Sequence, residues 1–135
     1  MLKRVSHTTV WVLDQERAKK FYTEQLGFEV RHDVTMGAFR WLTVGLPSQP
    51  DLELVLMEPQ ASPLMDEATA ATVRDLVQRG VLGAGVVTVA DCHATYAELS
   101  AKGVLFREPP QERPYGIEAM MSDDSGNWYS VTQPR

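Results

Sequence analysis

Two stretches of the chain share one pattern, WVLDQERAKKFYTEQLGFEVRHD at residues 11–33 and VVTVADCHATYAELSAKGVLFRE at residues 86–108. They can be aligned with Asp91 on Asp14 and with Gly103 close to Gly27. An aspartate is a favourable N-cap for a helix, and a glycine can end that helix in a left-handed conformation. The alignment therefore predicts an internal repeat of two similar units, each with one helix.

Strand patterns surround both predicted helices. Before the first helix, residues 5–13 are rich in β-branched and aromatic side chains, and a period of two places His7 and Trp11 on one face. Three further strand-like segments follow each helix without interruption, namely FEVRHDVTM, AFRWLTVGL and LELVLMEP, and then GVLFREPP, YGIEAMMSD and NWYSVTQ. The sequence thus predicts an α+β fold of two βαβββ modules, whose cupped mixed sheets surround a cleft.

The chain is predicted to be a single domain, residues 1–135. Module 1 covers about residues 1–58, a connecting segment with a helix covers about 59–80, and module 2 covers about 81–135. A ferredoxin-like sandwich also uses βαβ elements, but it places its second helix between its third and fourth strands. The uninterrupted strands favour the two-module arrangement.

Composition narrows the class of partner. The 135 residues carry a formal net charge of -5, and acidic and basic residues alternate without a basic stripe, so nucleic acid is not an expected partner. No apolar run approaches the roughly 20 residues that cross a bilayer, and the first residues lack the pattern of a signal peptide, which predicts a cytoplasmic protein without membrane association. Cys92 is the single cysteine, so thiol chemistry is not expected.

Two short motifs carry a family resemblance, FYTEQLGF at residues 21–28 and DDSGN at residues 123–127. With these motifs, nearly the whole chain resembles the vicinal oxygen chelate superfamily, which includes glyoxalase I, extradiol dioxygenases, fosfomycin resistance enzymes and bleomycin resistance proteins. The resemblance implies the glyoxalase/bleomycin resistance fold, a small-molecule ligand or substrate and a homodimer. The motif residues themselves belong to the fold, because they supply a helix face and a tight turn.

In metal-dependent members, the resemblance implies four ligands, one on the first strand and one on the last strand of each half. His7 and Glu53 match the two positions of the first half, and both could bind a divalent metal ion. The two positions of the second half fall on Ala84 and Ser130, which cannot replace imidazole or carboxylate. The expected metal site is therefore half missing, and no cofactor is certain.

Other side chains are candidates for ligand binding. We expect His7, Trp41, Glu53, Met57, Tyr115 and Ser130 to contribute, and Trp11 or Trp128 could also give a flat apolar wall. If Val55, Met57 and Trp41 enclosed Glu53, desolvation would raise its pKa and prepare it as a general base. His32 and Asp33 are adjacent on a strand, so they point to opposite sides, and we expect them at the surface.

Three functional hypotheses follow. The first is a metal-free protein of the bleomycin-resistance type that binds a small molecule in its cleft, which the residues Ala84 and Ser130 favour. The alternative is an enzyme, either a divalent-metal-dependent lyase or isomerase of the glyoxalase type or a dioxygenase, that uses His7 and Glu53. The third is a scaffold or regulatory dimer that has lost ligand binding. The residues leave open whether the protein is catalytic.

Overall fold

The computed structural model describes residues 1–135, which form two compact units, Met1–Asp75 and Leu76–Arg135. The first unit contains β1 (His7–Trp11), α1 (Gln15–Lys20), a π-helical segment (Phe21–Gln25), β2 (Glu29–Met36), β3 (Phe39–Gly45), β4 (Glu53–Met57) and most of α2 (Glu67–Gln78). The second unit contains β5 (Gly83–Thr88), α3 (Cys92–Ala101), β6 (Phe106–Arg113), β7 (Gly116–Ser122) and β8 (Trp128–Pro134).

Each unit contains one four-stranded mixed sheet. The strand order is β1-β4-β3-β2 in the first unit and β5-β8-β7-β6 in the second. In both sheets the first strand pairs in parallel with the last strand, and the remaining pairs are antiparallel. This topology confirms the predicted α+β fold of two βαβββ modules.

The first helix begins and ends where the repeat predicts. The side chain of Asp14 accepts a hydrogen bond from the backbone N–H of Arg17, and Gly27 follows the helix with a φ of 82°. The sequence predicted one continuous α-helix, but its second half, Phe21–Gln25, is π-helical in the structure. The wider turn still directs Phe21 and Tyr22 into the core.

The core of the first unit lies between this helix and one face of its sheet. Tyr22, Leu42 and Leu56 are fully buried there, together with Val12 and Val44. Burial of a large apolar side chain contributes about 1.5–3 kcal/mol. Because successive strand residues alternate between the two faces, the neighbours Trp41, Thr43 and Val55 lie on the opposite face.

The second unit has a similar helix cap and a tight turn held by side-chain hydrogen bonds. Asp91 caps α3 by accepting from the N–H of Ala94, and Cys92, the first residue of the helix, is fully buried. Burial raises the pKa of the Cys92 thiol, which keeps it protonated. In the turn before β8, the carboxylate of Asp123 accepts hydrogen bonds from the backbone N–H groups of Ser125, Gly126 and Asn127.

The segment between the predicted modules, about residues 59–80, contains α2. The side chain of Asp66 accepts a hydrogen bond from the N–H of Thr69 in the first turn of this helix. The division between the two compact units, after Asp75, falls inside α2. None of the helices is long and apolar enough to cross a membrane.

Candidate functional site

A polar cluster of four side chains lies at one end of the first sheet. Glu53 on β4 is at its centre, and its Oε1 accepts a hydrogen bond from the hydroxyl of Thr43 over 2.7 Å. Nδ1 of His32 lies 3.2 Å from the same oxygen, and Nε2 of His7 lies 3.5 Å from it. The parallel pairing of β1 with β4 explains part of this geometry, because His7 and Glu53 are direct partners in the register.

The environment of Glu53 favours its ionised form. The hydroxyl of Thr43 lowers the pKa of the Glu53 carboxyl below its ordinary value, His32 and His7 add to this effect, and partial burial opposes it. The sequence suggested the reverse, a pKa raised by enclosure that would prepare a general base. Here the hydrogen bonds to the carboxylate outweigh its desolvation, and a carboxylate with a lowered pKa is a weaker base; a general-base role for Glu53 stays a prediction.

Aromatic side chains continue the same face away from the polar cluster. The ring of Trp41 lies 5.9 Å from the ring of His7 between centroids, and Phe39 stacks on Trp41 at 6.5 Å. Phe39, Trp41 and Thr43 alternate along β3, so all three side chains are on one side of the sheet. The polar cluster and the aromatic surface are therefore continuous.

An apolar pocket of about 520 Å³ lies at the far end of this face. Its walls are mainly Trp11, Phe39, Met57, Pro63, Leu64 and Met65. The volume is within the range of pockets that hold drug-sized ligands, roughly 300–1,000 Å³. Trp11 and Met57 are partners in the same strand pair as His7 and Glu53, four residues further along.

The pocket adjoins a place where β3 and β4 separate. Their ladder contains only the pairs Thr43 with Val55 and Val44 with Leu54. Beyond it, the buried amide of Gln15 donates from Nε2 to the carbonyl oxygens of Leu56 at 2.8 Å and Arg40 at 3.0 Å. Gln15 thus satisfies two carbonyl groups, one from each strand, beyond the paired part of the ladder.

The second unit has no such separation. β7 and β8 pair along their whole length, from Gly116 with Pro134 to Ser122 with Trp128. Cys92 occupies the position of Gln15 after the helix cap, and its Sγ donates to the carbonyl oxygen of Val131 at 3.4 Å. The short thiol has one donor, whereas the amide of Gln15 has two. This substitution accompanies the change from a closed to a divided strand pair.

The second sheet carries its own polar cluster, around Glu118 on β7. Its carboxylate accepts hydrogen bonds from the hydroxyls of Ser130 at 2.5 Å and Tyr115 at 2.7 Å, and Arg113 lies 3.6 Å away. Ser130 is also 2.7 Å from the hydroxyl of Thr132. Ser130 and Tyr115 lower the pKa of Glu118, while Glu118 raises the pKa of Tyr115. Glu118 was not among the residues expected at the site from the sequence.

The strand registers refine the comparison between the repeats. Trp11 pairs with Met57, and Thr88 pairs with Thr132, so Met57 and Thr132 are equivalent positions. Counting back along β4 and β8, the counterpart of Glu53 in the register is Trp128, and not Ser130 as the sequence alignment suggested; Ser130 corresponds to Val55. Trp128 lies beside a shallow pocket of about 200 Å³ with Arg107, Glu108 and Met120.

The donor set of the polar cluster does not fit the metal site that the resemblance implied. A catalytic metal site of this kind offers three or more protein ligands, and no group of three histidine, cysteine, aspartate or glutamate side chains is arranged to hold an ion. His7 and His32 both approach Oε1 of Glu53, which already accepts the hydroxyl of Thr43.

Comparison with known proteins identifies the family. A model of the Glyoxalase/Bleomycin resistance protein/Dioxygenase superfamily matches residues 4–131. The chain belongs to this superfamily. The family resemblance and the fold class predicted from the sequence are thereby confirmed. The two repeats do not form a symmetrical metal site, because the second repeat has Trp128 at the position equivalent to Glu53.

Several known proteins are similar to this chain over nearly their whole length. UcmS2, which has a crystal structure, shares 52% sequence identity with this chain, and the match has a TM-score of 0.90 and covers 98% of both chains. TnmS3, an antibiotic binding protein from Streptomyces sp. CB03234, is 32% identical, with a TM-score of 0.77 and coverage of 99% of this chain and 98% of its own. The uncharacterized protein YurT of Bacillus subtilis (strain 168) is 36% identical over 93% of this chain and 95% of its own.

Proposed function

We propose that this protein binds a small molecule, of the antibiotic type, and releases it chemically unchanged. The observation that carries the proposal is the apolar pocket of about 520 Å³ beside Trp11 and Phe39, on the same sheet face as the polar cluster of Glu53. An aromatic wall with a few polar groups is the usual composition of a small-molecule site. The similarity to TnmS3, an antibiotic binding protein, supports the same function.

The ligand we propose has a flat apolar part. Stacking on an aromatic ring contributes roughly 0.5–1.5 kcal/mol beyond the area that is buried, and Trp11, Phe39 and Met57 offer such a surface. Leu64 lies at the pocket with 98% of its surface exposed, so a ligand can cover it. Polar groups of the ligand would meet His7, Trp41 and Glu53.

Binding is favoured over catalysis by the state of Glu53. The lyase, isomerase or dioxygenase hypothesis requires a metal ion held by His7 and Glu53, and these two side chains fall short of the three ligands that such chemistry uses. Glu53 is also held in a form that takes up a proton less readily.

Calorimetric and thermal-shift screening of planar aromatic antibiotics tests the proposal. We expect at least one compound to raise the melting temperature, to quench tryptophan fluorescence, and to be recovered intact by mass spectrometry. A Trp11→Phe variant should lose part of the quenching, whereas Trp128→Phe should retain it. Turnover of a compound, or the absence of any binding across such a panel, would contradict the proposal.

We further propose a homodimer, as the family resemblance implied. Support comes from exposed apolar side chains on β2, an edge strand of the first sheet, namely Val30, Val34 and Met36. Light scattering of the parent protein and of a Val34→Lys variant tests this, with a monomeric parent as the contradicting result. The cytoplasmic location stays a prediction, for which cell fractionation is the test.

A further inference from the structure

We infer that the ligand carries an N–H or O–H donor at one end, which Oε2 of Glu53 accepts. This inference rests on the proposed function, because it concerns the ligand of the same pocket. It assigns the ligand to a chemical class, an elongated and mainly apolar molecule with a hydroxyl or amino group at the end that lies farthest from the pocket.

The two oxygens of Glu53 have different environments. Thr43, His32 and His7 all approach Oε1, at 2.7, 3.2 and 3.5 Å. Oε2 makes no hydrogen bond, although the Glu53 side chain is only 17% exposed. An ionised carboxylate can accept several hydrogen bonds, so the second oxygen retains its full accepting capacity at this site.

The three neighbours of Oε1 also hold the carboxylate in place. Thr43 is fully buried, so its hydroxyl is fixed by the packing of β3. With Oε1 anchored, the position of Oε2 is defined before a ligand arrives. Such preorganisation favours a ligand donor without the cost of ordering a mobile side chain.

Strand geometry sets the spacing between the two ends of the ligand. Glu53 and Met57 are four residues apart on β4, as are His7 and Trp11 on β1. At 3.2–3.4 Å per residue, the polar cluster and the apolar pocket are about 13 Å apart. A ligand that contacts both regions is therefore elongated, and Trp41 lies between the ends of its path.

The charge of Glu53 makes this end selective. A donor group meets an ionised carboxylate and forms a charge-assisted hydrogen bond. A methyl group leaves the carboxylate partly desolvated without a partner, and a carboxylate on the ligand is repelled. Because a site built to hydrogen-bond a polar group rejects analogues that lack it, a clear preference is expected.

Isothermal titration with three matched probes tests the inference. The probes are 4-hydroxybiphenyl, 4-methylbiphenyl and biphenyl-4-carboxylate, which share the apolar body and differ at one end. We expect the parent protein to bind the hydroxyl probe about tenfold more tightly than the methyl probe, and the carboxylate probe most weakly.

The Glu53→Gln variant supplies a second readout. The hydroxyl of Thr43 would retain the amide oxygen at the position of Oε1, which leaves the NH₂ group at the position of Oε2. The acceptor thus becomes a donor, and we expect the preference to shift from the hydroxyl probe to the carboxylate probe. Glu29→Gln, which removes an exposed carboxylate on β2, is the matched control and should retain the parent order.

The outcomes distinguish this inference from the proposed function. Equal affinity of the parent for the hydroxyl and methyl probes would overturn the inference and leave the binding function standing. Binding of none of the three probes by the parent would overturn the inference, and the antibiotic panel described above then decides the binding function separately. If Glu53→Gln does not fold, the order of affinities in the parent protein alone decides.

Discussion

Thr43 donates its hydroxyl hydrogen to Oε1 of Glu53 over 2.7 Å, from a fully buried position on β3. This bond joins the hydrophobic centre of the first sheet to the polar end of the proposed binding surface. It is also the largest cause of the lowered pKa of Glu53. The lowered pKa of Glu53 thus depends mainly on a side chain that a ligand would not need to contact.

Replacement of Thr43 by valine tests this dependence. Valine has a similar shape without the hydroxyl, so we expect the pKa of Glu53 to rise towards its ordinary value of 4.5 and the free energy of unfolding to fall by about 1 kcal/mol. Carbon-detected NMR titration of the Glu53 carboxyl and urea denaturation measure the two effects. The exposed Thr35→Val change should alter neither, and an unshifted titration in Thr43→Val would contradict the assignment.

The ion pairs of Asp33 make stability depend on pH. Arg40 donates to both carboxylate oxygens of Asp33 at 2.9 Å, and Lys19 donates to Oδ2 at 2.9 Å. The hydrogen bond from Arg40, followed by that from Lys19, lowers the pKa of Asp33 far below the ordinary 3.8. The folded state therefore binds a proton less readily than the unfolded state, so this stabilisation is complete above about pH 4 and is lost as the pH falls towards the folded pKa.

We accordingly expect Asp33→Asn to reduce the free energy of unfolding by about 1 kcal/mol near neutral pH, and the difference from the parent to shrink below about pH 4. Urea denaturation at a series of pH values measures it. Asp51→Asn, at an exposed position, is the control. If the difference in unfolding free energy between the variant and the parent stayed constant at the lowest pH measured, the ion pairs of Asp33 would not be its cause.

Gln15 provides a test of the divided strand pair. Gln15→Leu retains the size of the side chain but leaves the carbonyl groups of Leu56 and Arg40 without their donor. We expect a loss of about 2 kcal/mol in unfolding free energy and weaker binding of 4-hydroxybiphenyl, because the pocket wall shifts. Chemical denaturation and calorimetry measure these effects, with the exposed Gln78→Leu as the control. Unchanged stability would mean that water replaces the amide without cost.

Leu64 should affect binding without affecting stability. Its side chain lies at the pocket and is 98% exposed, so Leu64→Ser removes apolar contact with a ligand and no core packing. We expect the affinity for 4-hydroxybiphenyl to fall about fivefold, which corresponds to roughly 1 kcal/mol, and the melting temperature to stay unchanged. Leu105→Ser, at a leucine of the second unit that is 75% exposed, is the control. Equal effects of the two variants on affinity would place the ligand elsewhere.

The fold could be predicted from the sequence because its signals are local. The caps Asp14 and Asp91, the glycines that follow the helices and the alternating strands all depend on neighbouring residues. The turn at Asp123 has the same character, since one carboxylate accepts three successive N–H groups. Repetition of the pattern then indicated two modules.

The site depends on features that are not local. His32 was expected at the surface, and its side chain is indeed 56% exposed, yet it contacts Glu53. Alternation along β2 alone could not predict this contact. The register of β2 against β3 shifts between Val30 and His32, and this shift changes which β2 side chains lie on the same face of the sheet as Glu53. The separation of β3 from β4 could not be predicted from the sequence either, because Gln15 is distant from both strands in sequence.

The short ladder between β3 and β4 also has a consequence for motion. Local opening of a sheet costs less where fewer backbone hydrogen bonds must break, so this seam should exchange its amide hydrogens faster than the fully paired β7 and β8. Opening of this end of the ladder would enlarge the pocket, because Phe39 on β3 and Met57 on β4 both line it. A bulky ligand could then enter the pocket when β3 and β4 separate transiently.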